Sequence, residues 1–453
     1  MTNRKIRQKK YYGKETGRAI SNFPFDYPRV HSEFIYAIVK IKKAAAFANS
    51  RTGDLAEEIK NSIDRACDEI LDGKFDEQFL LPGIQGGAGT SVNMNVNEVI
   101  ANRATEILEN VGGKNVVHPN DHVNRSQSTN DVNPSALKLA CFDLLEALER
   151  SVSLLFTALE NKSREFRDVL KLGRTHLQDA LPTTLGAEFL SFAFILKRHH
   201  ERIGRVKKYC LELNLGGTAI GNSINASPEY IAFIFLELRR MTNRQFYPAK
   251  SFMSQTSSQT DFLAISQAVS ALMLDSSKIA DDLRLMAGGP SGGFAEIELP
   301  ELQKGSSIMP GKVNPVVPET VNQAYYLISG NTVSVEGACA GAQLELGVML
   351  PVIVDRLIQS LKLANEVLTQ FSGKCIAGIR ANKEICRKYL ENSTAYATLL
   401  SPKIGYDATT ALVRESRETG KNIRELAIHK KILTENEFDK LVRNSSKKSA
   451  KTK

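Results

Sequence analysis

The sequence predicts a predominantly α-helical, all-α protein organised around a bundle of long helices, and three stretches predict it. From about Ser135 to Leu172 there is neither Gly nor Pro, and Leu137, Cys141, Leu144, Leu148, Val152, Leu155 and Leu159 step by three or four residues, the spacing of one helix face. Asp261 to Met286 repeats that spacing with Phe262, Ile265, Val269, Leu272, Ile279, Leu283 and Met286, and Glu319 to Phe371 reads as helix bent near Pro351. At 1.5 Å per residue the first stretch would be on the order of 55 Å long, too long for the interior of one ordinary domain and suited to an elongated bundle. Strand-like alternation is scarce. Wide apolar helix faces need partners, so a homo-oligomer is expected.

In chain order, apolar residues recur at helical spacing over Asp26 to Ala48, after a short extended lead, and again over Leu55 to Leu71. These form an N-terminal helical domain, residues 1–127. Gly83 to Thr90 interrupts it with four glycines. It lacks GxGxxG, a leading strand and the lysine of a phosphate loop, so it is not read as a nucleotide site. Thr90, Ser91, Asn93, Asn95 and Asn97, with Glu98, precede an apolar helical run. They suit a helix cap, and a helix N-terminus is also an anion site. Ser128, Thr129, Asn130 and Asp131 are cap chemistry directly before the longest helix, in a central bundle domain of residues 128–383. Within it Thr175 and His176 fall in a loop before Leu177 to Thr184, and Gly216, Gly217 and Gly221 mark another near Asn225. Beyond Gly373 the helices shorten, and residues 384–453 form a small C-terminal helical domain with a basic tail. There Thr434 and Glu437 have capping-box spacing.

Composition bounds the function. Hydrophobic residues at 42% and charged residues at 24% are those of a soluble globular protein. No uninterrupted apolar stretch has membrane-spanning length and the first twenty residues are basic and polar, so neither a membrane span nor a secretion signal is expected and the location expected is cytoplasmic. Cys67, Cys141, Cys210, Cys339, Cys375 and Cys386 have no CxxC spacing and read as reduced core thiols. The net charge of +9 is partly concentrated at the ends, in Arg4, Lys5, Arg7, Lys9 and Lys10 and in Lys447, Lys448, Lys451 and Lys453. With no aromatic-basic interleaving these read as solvated tails, and nucleic acid is not expected as a partner. His118 and His122 are spaced i, i+4, but Pro119 between them opposes a regular helix and HExxH is absent, which favours structural polar contacts over a metal.

The chemistry centres on Gly305 to Pro315, GSSIMPGKVNP. Gly and Pro break helix there and leave backbone N–H groups free to face an anion. Lys312 and Asn314 suit a carboxylate, and Ser306 and Ser307 add hydroxyls. The segment resembles the signature of the fumarase/aspartase superfamily. GGAGTSVNMNVNEVIANRA (from Gly86), HPNDHVNRSQSTND (from His118) and GRTHLQD (from Gly173) are similar to the same family, in its order, and the resemblance runs from about Tyr11 to about Val442. It implies a three-domain helical subunit in a homotetramer whose core is a multi-helix bundle, active sites shared between subunits, and elimination from a succinate-type substrate without cofactor or catalytic metal. It further implies Ser306 as general base, with Thr90, Ser128, Thr129 and Ser307 holding the carboxylate that becomes the aci form. Lys312, Asn314 and Thr175 would hold the other carboxylate, Asn130 and His176 would lie near the leaving group, Glu319 would be the acidic partner of His176, and Met309 lies in the closing loop. In fumarases the HPND turn forms a second anion site; that role stays open here.

Flanking segments distinguish members. VNPVVPETVNQ from Val313, IELPELQKGSSIMP from Ile297 and CIAGIRANKEICRKYLENST from Cys375 resemble aspartate ammonia-lyases, while NMNVNEVIANRA and SPKIGYDATTALV lean towards fumarases. The larger group implies ammonia release from L-aspartate, with hydration of fumarate as the alternative and a non-catalytic helical scaffold as the third reading. Gly347, Leu350, Ser291, the pair Asn222-Ser223 and Asn133 stand where the family usually has Asn, an acid, Arg, Thr-Gly and an aromatic.

Overall fold

Residues 9–448 are described in the computed structural model of the chain, with side chains as far as Ser445. Helices α1 (Lys14–Asn22), α2 (Ser32–Arg51), α3 (Glu57–Leu71) and α4 (Thr90–Glu109) come first. Pro28 bars helix from Tyr27, so α2 starts later than Asp26; Gly53, left-handed at φ 81°, turns the chain before α3. Asn93, Asn95 and Asn97 require a correction. They do not precede the apolar helical run but lie inside α4, 2%, 1% and 0% exposed, because their amides find buried acceptors: Asn95 Nδ2 donates to the Gln78 carbonyl at 3.2 Å. Glu98, also in α4, caps α1. Its carboxylate accepts the backbone N–H groups of Gly13, Glu15 and Thr16 at 2.8, 2.9 and 3.1 Å and the Thr16 hydroxyl at 2.5 Å.

Helix α5 (Thr129–Glu165) spans 37 residues. It starts before Pro134 because the carbonyl that loses a partner there, that of Asn130, accepts Asn214 Nδ2 at 3.1 Å instead. It stops at Glu165 rather than Leu172. Leu170–Thr175 is strand β1, antiparallel to β2 (Gln178–Thr184), and the Phe166 and Val169 carbonyls accept Gly186 and Leu185 N–H groups in place of helical ones. Leu137, Cys141, Leu148, Val152, Leu155 and Leu159 are fully buried, while Leu144 is half-buried.

Next come α6 (Leu185–Lys207), β3 (Glu212–Leu213), α7 (Pro228–Thr242), β4 (Tyr247–Pro248, parallel to β3), α8 (Phe252–Ser257) and α9 (Thr260–Ala287), whose predicted stripe is entirely buried. β5 (Ile297–Glu298) leads to α10 (Val316–Ala340) and α11 (Leu350–Gln370). The single bent helix expected over 319–371 is two helices. Residues 341–349 leave the helical path, Gly347 N–H bonding the Thr256 carbonyl at 3.0 Å, and Pro351 sits in the first turn of α11, where its missing N–H costs nothing. A Cβ on Gly347 would stand 2.5 Å from Gln259 Cγ, so a side chain at this turn would have to displace that buried glutamine. β6 (Arg380–Ala381) pairs with β5, and α12 (Lys383–Asn392), α13 (Ala395–Ile404), α14 (Tyr406–Thr419), α15 (Ile423–His429) and α16 (Glu435–Lys448) complete the described chain. The predicted capping box is present: Thr434 N–H donates to Glu437 and Glu437 N–H to the Thr434 hydroxyl.

The chain divides into two units. The first holds the residues up to Glu149, Arg202–Ser270 and Leu327–Ala364; the second holds Arg150–Glu201, Ala271–Tyr326 and Asn365 onward. In the first, polar pairs link α5 to α9 (Lys138 to Asp261, 2.8 Å), α9 to α10 (Ser266 to Thr332, 2.9 Å) and α10 to α11 (Asn331 to Ser360, 3.1 Å). In the second they link α6 to α9 (His199 to Asp275, 2.7 Å) and α9 to α10 (Ser277 to Asn322, 2.8 Å). There the β1–β2 hairpin joins the C-terminal helices: Leu172 shares a core with Leu390, Leu400, Leu426 and Phe438.

Among the described residues no helix is long and apolar enough to cross a membrane. All six cysteines are free thiols, five of them buried and Cys339 half-buried. Arg4, Lys5, Arg7, Lys451 and Lys453, read as solvated tails, lie outside the described residues, as do the side chains of Lys447 and Lys448. Lys9 instead pairs with Glu106 at 2.6 Å, and Lys10 lies over the Tyr12 ring.

Candidate active site

In the first unit, the turn that starts α5 gathers three candidate residues. Ser128 Oγ accepts the Asn130 N–H at 3.2 Å, and Asp131 Oδ1 accepts the Ser128 N–H at 2.9 Å, a reciprocal cap. Thr129 Oγ1 accepts Asn93 Nδ2 at 3.3 Å. With lone pairs of both oxygens engaged, the Ser128 and Thr129 hydroxyl hydrogens remain as donors. Asn130 Nδ2 donates to the Ala219 carbonyl at 2.8 Å. Thr90, first residue of α4, is exposed behind left-handed Gly89 (φ 85°).

Ser128 lines an open polar cleft of about 1050 Å³ together with Asn120, Asp121, Arg125, Thr218 and Asn222. The HPND segment forms one wall as a π-helical turn over Pro119–Val123. His118 Nδ1 accepts the Asp121 N–H at 3.1 Å, and His122 Nδ1 accepts the His118 N–H at 2.9 Å. Both imidazoles thus make the structural polar contacts expected of them.

Beneath this turn lies a buried polar layer. Lys42 of α2, 0% exposed, donates to Asn124 Oδ1 at 2.7 Å, and the same oxygen accepts Asn93 and Asn97 at 3.1 and 3.2 Å. Burial pushes the Lys42 ammonium down to about 7, against the pull of the Asp131 carboxylate. Burial pushes Asp131 up to about 6, although three backbone N–H groups and Lys42 favour its charge. Sequence reading missed Lys42, since a lysine in an apolar helix is ordinarily a solvated tip. The signal available was its place in IVKIKKAAA, where the helical spacing points it inward.

The second unit carries the other candidates. Thr175 and His176 do not sit in an irregular loop. Thr175 ends β1 and pairs with Gln178, leaving His176 and Leu177 as a two-residue hairpin turn at φ 56° and 58°, the primed geometry that matches strand twist. Buried ion pairs hold the base of the hairpin: Glu296, 0% exposed, takes Arg174 Nη1 and Lys171 Nζ, each at 2.8 Å.

Ser306, Ser307, Met309, Lys312 and Asn314 share one exposed to half-buried loop. Ser306 Oγ accepts the N–H groups of Ile308 and Met309 at 3.2 and 3.1 Å. The loop is closed by Gly305 N–H to the Lys312 carbonyl (3.1 Å) and by Asn314 Nδ2 to the Gly305 carbonyl (2.7 Å). A Cβ on Gly305 would lie 2.1 Å from the Lys312 carbonyl oxygen, so closure requires glycine. One Asn314 donor is therefore spent inside the loop. Lys312 is exposed and has no ion-pair partner among the described residues. Glu319 lies in the first turn of α10, and among the described residues no hydrogen bond joins it to His176.

A family model described as Lyase matches residues 3–330, and one described as Fumarase C C-terminus matches 397–446. The chain is 43% identical over 433 residues to the aspartate ammonia-lyase of Bacillus sp and 44% over 432 residues to that of Helicobacter pylori strain J99, in both cases covering 95% of this chain and 92% of the relative. Among solved structures, fumarate lyase:delta crystallin from Brucella melitensis bound to cobalt aligns with a TM-score of 0.92 at 40% identity, over 97% of this chain and 96% of that one. Recombinant class II fumarase from Schistosoma mansoni aligns with a TM-score of 0.90 at 32% identity, over 96% and 95%.

Proposed function

This chain belongs to the fumarase/aspartase superfamily of lyases, and from that premise we propose that it eliminates ammonia from L-aspartate, or a closely related amino dicarboxylate, to give fumarate. One observation carries the chemistry: Ser306 Oγ already receives two backbone N–H groups, at 3.2 and 3.1 Å. A free serine hydroxyl is too weakly acidic to serve as a base. Two fixed donors at its oxygen are what an alkoxide needs, and they need no reorganisation as charge develops. Ser306 takes the proton from the carbon beside one carboxylate, and the electron pair spreads into that group as an aci-carboxylate with two negative oxygens. Thr90, Ser128, Thr129 and Ser307 donate to those oxygens. The free hydroxyl hydrogens of Ser128 and Thr129 support this role. Lys312, Thr175 and the second N–H of Asn314 hold the other carboxylate, and Met309 moves with the loop. The carbon–nitrogen bond then breaks, with Asn130 and His176 beside the departing amine and Glu319 as partner to the histidine. No step uses a cofactor or metal.

The reading includes a homotetramer with sites shared between subunits, a cytoplasmic location and the domain layout 1–127, 128–383 and 384–453. L-malate is the second substrate to test, because NMNVNEVIANRA and SPKIGYDATTALV lean towards fumarases. Fumarate absorbance followed with L-aspartate and with L-malate separates the two, and Ser306→Ala lowers kcat on the true substrate by about 10³-fold. Activity on neither, with no fumarate binding, supports the scaffold reading instead.

A further inference from the structure

Asp131 follows three candidate site residues, and its reach goes beyond capping its own helix. Each of its oxygens serves a different segment. Oδ1 accepts the Ser128 N–H at 2.9 Å, while Oδ2 accepts the N–H groups of Gly216 and Thr218 at 3.1 and 3.0 Å. The carboxylate is 0% exposed, whereas a plain helix cap works at the surface. The distant loop is bent to reach it. Gly216 and Thr218 are both left-handed, at φ 89° and 58°, so that two N–H groups converge on one oxygen. A Cβ on Gly216 would fall 2.5 Å from the Ile231 side chain, and a threonine in that region is strained unless its surroundings compel it. Two further bonds run alongside, Asn214 Nδ2 to the Asn130 carbonyl at 3.1 Å and Asn130 Nδ2 to the Ala219 carbonyl at 2.8 Å. Ser128, Thr218 and Ala219 all line the cleft.

We propose that Asp131 is a positioning residue: its buried carboxylate locks the Ser128–Asn130 turn and the loop 214–219 into one wall of the cleft, so that the Ser128 and Thr129 hydroxyls are aimed before substrate arrives. Facing the carboxylate are the Lys42 ammonium from α2 and, from α7, the buried hydroxyl of Tyr230, which has no hydrogen-bond partner among the described residues. The kinetic part of this proposal rests on the elimination reaction above; the mechanical part does not.

The test is Asp131→Asn in the full-length enzyme, which keeps the shape and turns one acceptor into a donor facing N–H groups. Hydrogen exchange is read on peptides covering 124–134 and 212–220, together with kcat and KM for L-aspartate. Both peptides exchange at least about tenfold faster while others are unchanged, and kcat falls on the order of 100-fold with a smaller change in KM, the cost of a misaimed donor. A role in stability alone would speed exchange throughout and leave the kcat of the folded fraction intact. Unchanged exchange at 212–220, or a folded variant with the parent's kcat, overturns the proposal. If Asp131→Asn does not fold, Asp131→Glu keeps charge and acceptors but displaces them by one methylene, and the same readouts decide. A parent inactive on L-aspartate sinks the proposed reaction, while the paired exchange of the two peptides still decides the tie.

Discussion

Lys42 shows how a residue can be plain in the sequence while its consequence is not. A lysine with an ordinary value of 10.5, pushed down to about 7 by burial, binds its proton less tightly folded than unfolded. Between those values the unfolded chain therefore holds more protons, and stability rises with pH, by about 1.4 kcal/mol per pH unit where the difference in bound protons is nearly complete. Lys42→Met removes the titration. In urea unfolding, the parent's stability relative to this variant grows by roughly 2 kcal/mol from pH 7 to pH 9, and parallel stabilities at the two values would contradict the burial argument. By contrast, the bonds at the Ser306 oxygen have a local cause, since its partners, Ile308 and Met309, are its neighbours in the chain. Asp131 was half legible: its bond to Ser128 is local, while those to Gly216 and Thr218 cross some 85 residues, a distance that cap chemistry does not encode.

Elements followed the same division between local and distant causes. The buried stripes of α5 and α9 were readable because helix period is a property of neighbouring residues. The end of α5 was not, since Leu170–Leu172 continue an apolar pattern and leave the helix only because β2 offers a ladder. The break between α10 and α11 depends likewise on Thr256 and Gln259, far back in the chain. Glu98 is a third such case, read beside a cap for its own helix but capping α1 across more than 80 residues. Glu98→Ala strands three backbone N–H groups and one hydroxyl. With charged hydrogen bonds each worth about 1.5–3 kcal/mol, less what water restores, α1 loses roughly 2 kcal/mol or more of local stability. Limited trypsin digestion then cuts after Lys14 and Arg18 at least about tenfold faster than in the parent. An unaltered rate at those two bonds would mean that α1 is held by its apolar contacts alone.

Across the whole molecule, the proposed site residues are divided by the fold itself: Thr90, Ser128, Thr129 and Asn130 belong to one unit, and Thr175, His176 and the Ser306 loop to the other. The long helices also leave large apolar side chains outside, among them Leu154 on α5, Phe194 on α6, Leu274 and Leu285 on α9, and Tyr326, Leu327 and Val333 on α10, each at least 40% exposed. Such faces are costly in water unless another copy covers them. If copies of the chain complete one another's sites, two inactive variants with lesions in different units must be able to repair each other. Ser128→Ala removes a proposed donor from one unit and Ser306→Ala removes the proposed base from the other. Mixed assemblies, formed by denaturing the two proteins together and refolding them, then contain some sites built wholly from undamaged parts. They regain ammonia release from L-aspartate that neither variant shows alone, while a mixture combined without denaturation stays inactive. Sizing by light scattering confirms that mixed and pure assemblies have the same mass. Mixed assemblies as inactive as their parents would mean that each site is completed within a single chain, and the exposed helix faces would then serve assembly without serving catalysis.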